Sequence, residues 1–121
     1  MLVPAHIKQE LNTFVELTPE QIAFYDTNRY IKVKQVLSSE TLQFFNEQIS
    51  EQVAKMNTEH TALEDRTTYG KAFLQLFNLW LENDVVKELV FSKRIAKIAA
   101  DLMQTSGARL YHDQALFKEA G

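Results

Sequence analysis

Apolar positions recur at spacings of three and four over residues 39–56, where Leu42, Phe45, Ile49, Val53 and Met56 make one stripe. That period predicts an amphipathic helix with Ser38 and Ser39 at its start and the stripe turned toward a core. Residues 93–104 carry a second stripe of Ile95, Ile98, Ala99 and Leu102 behind a capping serine, Ser92, and Gly107 is expected to stop that helix. A third helix is announced by its cap more than by its period. Thr18-Pro19-Glu20-Gln21 sets an N-cap threonine, a proline at the first helical position and a glutamine able to reach back, which is a capping box. The expected helix covers residues 19–27, with Ile22, Phe24 and Tyr25 inward and Asn28 closing it in a left-handed conformation.

Alternation replaces the helical period elsewhere. Residues 30–36 (YIKVKQV) read as a half-exposed strand. A polar connection without a period, 57–70, leads to a second strand over 69–77 (YGKAFLQLF). Asn78-Leu79-Trp80-Leu81 then turns into a short helix around residues 84–90. Residues 1–17 show no clear period and read as an extended lead-in anchored by Phe14 and Leu17. The last strand, 109–118, places Leu110, His112, Gln114 and Leu116 on one face and Tyr111, Asp113, Ala115 and Phe117 on the other. Both faces mix apolar and polar side chains, so neither reads as solvated. An inner strand covered on both sides, with its polar groups aimed at something outside it, is the expectation. The elements together predict an α+β fold, one domain or part of one.

Charge and composition narrow the partners. Thirteen basic against sixteen acidic residues leave a net charge of −3, with no basic run or stripe, so no nucleic-acid partner is expected. No apolar run approaches the roughly 18–20 residues of a membrane span, and the N-terminus lacks the apolar segment of a secretory signal. A soluble, cytoplasmic protein without a membrane partner is therefore expected. The absence of cysteine excludes disulfides, a thiolate nucleophile and a zinc–thiolate centre.

Residue chemistry alone offers no catalytic constellation. His6 lies in the lead-in, and His60 with Glu64 is an i,i+4 pair read as two solvated side chains. His112 and Asp113 are adjacent, so on a strand they point to opposite faces and do not readily share one ion. Non-haem iron sites commonly use His-x-Asp with a distant histidine, and the chain has neither His-x-Asp nor His-x-Glu. Its three glycines form no phosphate-binding loop and no nucleophile elbow.

The order of several phrases is more telling. L-T-P-E-Q-I-x-F-Y-x-x-N-x-Y-I, then S-x-E-T-L, F-x-Q-x-x-N-L-W, A-x-x-L-M and Y-H-D-Q-A-L-F-K run from Leu17 to Lys118. In that order and spacing they resemble the N-terminal part of the phytanoyl-CoA dioxygenase family. The resemblance implies a double-stranded β-helix, or jelly roll, with a helical support layer, of which residues 1–121 would be the first part of one domain. It implies an enzyme that uses Fe(II), 2-oxoglutarate and O₂ to hydroxylate a small organic substrate. Gln114 matches the strand position that contacts 2-oxoglutarate, Phe73 lies near where some members place a basic contact to it, and Gln75 is close by. Lys118 matches a frequent structural lysine, and Arg29 stands where the family commonly has glycine. The family's iron ligands and the arginine that pairs with 2-oxoglutarate fall after the position of Gly121. No metal residue is therefore assigned within the chain, and the 121 residues alone are expected to be inactive, with neither cofactor bound. A stand-alone α-rich protein-interaction module without catalysis is the alternative. A lipid or acyl-carrier domain is disfavoured because no helix has a surplus apolar face.

Overall fold

The computed structural model describes residues 2–57, 65, 67 and 74–118. Among these residues six helices and two strands follow in chain order: α1 (Ala5–Leu11), α2 (Pro19–Asn28), α3 (Ser39–Met56), β1 (Leu74–Phe77), α4 (Leu79–Glu82), α5 (Asp84–Val90), α6 (Lys93–Met103) and β2 (Gln114–Phe117). The class is α+β: among the described residues, a helical layer with a small antiparallel sheet of two strands. Among the described residues no helix is long and apolar enough to cross a membrane.

Side-chain caps set most helix starts. Thr18 Oγ1 accepts the Gln21 N–H at 3.1 Å and Gln21 Oε1 accepts the Thr18 N–H at 2.8 Å, closing the capping box of α2. Ser38 Oγ accepts the Thr41 N–H at the head of α3, and Ser92 Oγ accepts the Ile95 N–H at the head of α6. Asn83 Oδ1 accepts the N–H groups of Val85 and Val86, starting α5. Its Nδ2 donates to Oε1 of the buried Gln52 of α3 at 3.1 Å, so the same side chain ties two helices together.

The spine is α3, and it serves two cores. Phe45 joins Ile7, Leu11 and Val85 in one cluster, and Val53 joins Leu79 and Val86 in the other. Ile49 packs against both. Leu74, Leu76 and Ala115 add the sheet to the second cluster.

A polar knot holds the first cluster closed. Ser92 Oγ donates to the Leu11 carbonyl at 2.6 Å. Arg94 donates from Nε to the Thr13 carbonyl at 2.7 Å and from Nη1 to the Val36 carbonyl at 2.8 Å. Glu10 Oε2 accepts the Ser38 N–H at 3.1 Å. Burial pushes the Glu10 carboxyl up, but hydrogen bonds from the Ser38 and Thr41 side chains and the Ser38 amide, with the charge of Arg94, hold it below the ordinary glutamate range.

Several sequence expectations are corrected. Residues 1–17 are not an extended lead-in, because Ala5–Leu11 is helical and its Ile7 and Leu11 are 2% and 0% exposed. Val3, Ile7 and Leu11 form a stripe at spacings of four that is too short to stand out as a period, and Phe14, the expected anchor, is exposed. Residues 30–36 form no strand. Ile31 and Val33 are half-buried and Lys32 and Lys34 exposed, as the alternation predicts. Gln35, however, turns left-handed (φ 58°), and no strand among the described residues pairs with this segment. The left-handed cap of α2 is Arg29 (φ 64°), not Asn28, and that of α6 is Gln104 (φ 55°), not Gly107. None of Ile22, Phe24 and Tyr25 is buried, and Leu42 and Ile95 also lie exposed. The loop expected over 57–70 lies almost wholly outside the described residues, as do residues 69–73 of the expected strand.

Candidate sheet-face site

The candidate residues sit on a hairpin-like pair of strands far apart in sequence. β1 and β2 run antiparallel with Leu74 opposite Phe117, Gln75 opposite Leu116, Leu76 opposite Ala115 and Phe77 opposite Gln114. Residues directly opposite share a face, and alternation then sorts the pair. Leu74, Leu76, Ala115 and Phe117 fall on one face, and three of them pack against the Val53–Leu79–Val86 cluster. Gln75, Phe77, Gln114 and Leu116 fall on the other, which is turned from that cluster. Gln75 and Gln114 are diagonal neighbours there, on the order of 7–8 Å apart and within reach of one small ligand.

This face is apolar as well as polar. Phe77 and Leu116 are each 48% exposed, and the His112 ring meets Phe77 edge-on at 5.5 Å and Tyr111 at 4.9 Å. Contact with Phe77 brings His112 to the glutamine side. The terminal strand is thus shorter than 109–118: among the described residues only Gln114–Phe117 pairs, and Gln114 and Leu116 are exposed on one face and Phe117 on the other. The inner-strand expectation fails here because, among the described residues, β2 has a single neighbour, β1.

Asp113 goes the other way. Its Oδ1 accepts the Leu79 N–H at 2.9 Å and its Oδ2 the Trp80 N–H at 3.0 Å, while its carbonyl accepts the Asn78 N–H at 2.9 Å. One acidic residue therefore satisfies the first amides of α4 from a position 34 residues later in the chain, just before β2. Sequence reading missed this cap, because a cap supplied from so far away leaves no local signature.

An iron centre does not fit these residues. Both Asp113 oxygens are engaged at α4, and His112 lies against Phe77 on the opposite side. Among the described residues no group of three His, Cys, Asp or Glu side chains could hold a metal ion. His6 pairs with Glu40 at 2.8 Å, and His60, Glu64 and Phe73 lie outside the described residues. Lys118 is exposed. What the face offers is the exposed Gln114 amide, a donor suited to a carboxylate, set among aromatic and aliphatic carbon.

No family model, no curated protein and no solved structure matches the chain.

Proposed function

We propose that this chain is the helical support layer and first sheet strands of an Fe(II)/2-oxoglutarate-dependent oxygenase of the phytanoyl-CoA dioxygenase kind, built on a jelly roll. One observation carries the reading. Gln75 and Gln114, which belong to two phrases of sequence far apart, lie on one sheet face, and that face is turned from the Val53–Leu79–Val86 cluster. A support layer on one side and a ligand face on the other is the arrangement that such an enzyme requires. Gln114 donates to a carboxylate oxygen of 2-oxoglutarate, Phe77 and Leu116 wall the co-substrate from water, and Gln75 lines the same face. Bound iron would supply oxygen activation, and its ligands come from protein outside residues 1–121. The substrate is a small organic molecule, and the enzyme acts in the cytoplasm.

Succinate formation tests this. The protein translated from the whole reading frame that holds these residues, given Fe(II), 2-oxoglutarate, O₂ and ascorbate, which reduces the second oxygen atom to water in place of a substrate, is expected to form succinate above a protein-free blank, and the 121-residue chain alone is expected to form none above it. Turnover by the 121-residue chain, or none by the longer protein, would overturn the proposal.

The second reading, an interaction module without catalysis, draws on a different surface. An open groove of about 410 Å³ runs between α2 and the segment after it, lined by Glu20, Gln21, Phe24, Tyr30, Ile31 and Lys32. Absence of 2-oxoglutarate turnover in the longer protein would favour that reading.

A further inference from the structure

We infer that Asp113 is a positioning residue that locks the register of β1 against β2 and so brings Gln75 and Gln114 onto one ligand face. The inference rests on the oxygenase reading for what the face binds, but the lock itself stands on geometry alone. A pair of four-residue strands has little to hold it in register. On one face Phe77, Gln114 and Leu116 are exposed, and a slip of one residue would move Gln114 to the helix side. Asp113 immediately precedes β2, and Asn78 immediately follows β1. The Asn78 N–H to Asp113 carbonyl bond at 2.9 Å continues the ladder by one step beyond the Phe77–Gln114 pair. The Asp113 carboxylate then grips the next two amides, Leu79 and Trp80, at 2.9 and 3.0 Å.

Three consecutive backbone N–H groups are thus held by one residue. Asn78 is left-handed (φ 56°), and that turn aims the Leu79 and Trp80 amides at Asp113. Leu79 is in turn buried in the second core, so the strand end is tied to the helical layer and not only to its neighbour. A slip of β2 by one residue would break all three bonds and leave the amides of α4 without an acceptor. Asp113 does not face the ligand side, and it acts on the site through Gln114, the residue that follows it.

Amide hydrogen exchange and cross-strand NOEs on the 121-residue chain test this without iron or 2-oxoglutarate. In Asp113→Ala, exchange of the β1 and β2 amides is expected to speed by about tenfold or more, the change that a loss of about 1.4 kcal/mol gives. The NOEs between Phe77 and Gln114 should weaken, while amides of α1 and α3 keep their wild-type rates. Asp113→Asn, which retains one acceptor oxygen, should fall between the two. Unchanged strand exchange and NOEs in Asp113→Ala would overturn the lock. So would strand and helix amides speeding equally in Asp113→Asn, which would make the residue a general stability contact. Failure of the lock leaves the succinate test untouched, and failure of that test leaves the exchange result standing.

Discussion

At one end of α3, Ile7 and Leu11 are sealed against Phe45 and Val85, and Glu10, Ser92 and Arg94 tie the surrounding backbone with hydrogen bonds. At the other end, β1 and β2 bury one face on Val53, Leu79 and Val86 and leave Phe77 and Leu116 half in water on the other. Both ends use the same helix and similar side chains, yet among the described residues only the first closes on itself. Stability and ligand chemistry are therefore expected to separate along the molecule. Changes at the clamped end should cost folding, and changes on the open sheet face should cost binding with little loss of stability.

The largest effect sharpens that contrast. Leu11→Ala removes a side chain with no exposed surface and is expected to destabilise the chain by about 2–5 kcal/mol. Leu116→Ala, on the open face, should stay within about 0.5 kcal/mol of wild type. Urea midpoints of the two variants measure the difference, and equal losses would break the comparison.

Ser92→Ala comes next. It removes the N-cap of α6 and the donor to the Leu11 carbonyl together, at a buried position. A loss of about 1–2 kcal/mol in the same denaturation assay is expected. A loss near zero would mean that the knot is decorative.

Arg29→Gly should stabilise. A non-glycine residue in the left-handed region costs roughly 1–2 kcal/mol, and glycine's extra freedom in the unfolded chain returns about 0.5–1. The Arg29–Asp26 ion pair, 3.8 Å and exposed, adds little on the other side. A net gain of about 0.5–1 kcal/mol follows, read as a higher thermal midpoint. A lower midpoint would show that the arginine side chain matters more than its backbone.

The smallest effect is one of pH. The Glu10 carboxyl is held below its ordinary range in the folded chain, so its contribution is fully present above that range. It is lost as pH falls through the lowered value. Glu10→Gln should lose less stability than wild type on acidification, measured as the urea midpoint from neutral pH down to strongly acidic buffer. Parallel curves for the two proteins would contradict the clamp.

How much of this was legible in the sequence follows from how local each signal is. Thr18, Ser38 and Ser92 cap the helices they were expected to cap, because a cap and its amides lie within three residues. The stripe of α3 reads out a core for Phe45 and Val53, but Leu42 lies beyond the edge of that core and is exposed. Helix α1 is invisible as a period because only Val3, Ile7 and Leu11 mark it. Its burial depends on Phe45 and Val85, which come much later in the chain. The sheet pairing is non-local in the same sense. Alternation sorts the faces of 109–118, yet nothing in that segment states that β1 is its neighbour or that Asp113 reaches α4. Of the candidate site, Gln75 and Gln114 meet on one face, and Phe73 lies outside the described residues.

The most direct measurement is the apparent KM for 2-oxoglutarate in the full reading-frame protein carrying Gln114→Ala. One hydrogen bond from the Gln114 amide to a carboxylate is worth roughly 1.5–3 kcal/mol. Loss of that bond should raise KM by about tenfold to a hundredfold, since 1.4 kcal/mol is tenfold. Gln43→Ala, an exposed glutamine on α3 that bonds to Glu47, serves as the control and should leave KM unchanged. An unchanged KM in Gln114→Ala, with 2-oxoglutarate still consumed, would contradict the assignment of this sheet face to the co-substrate.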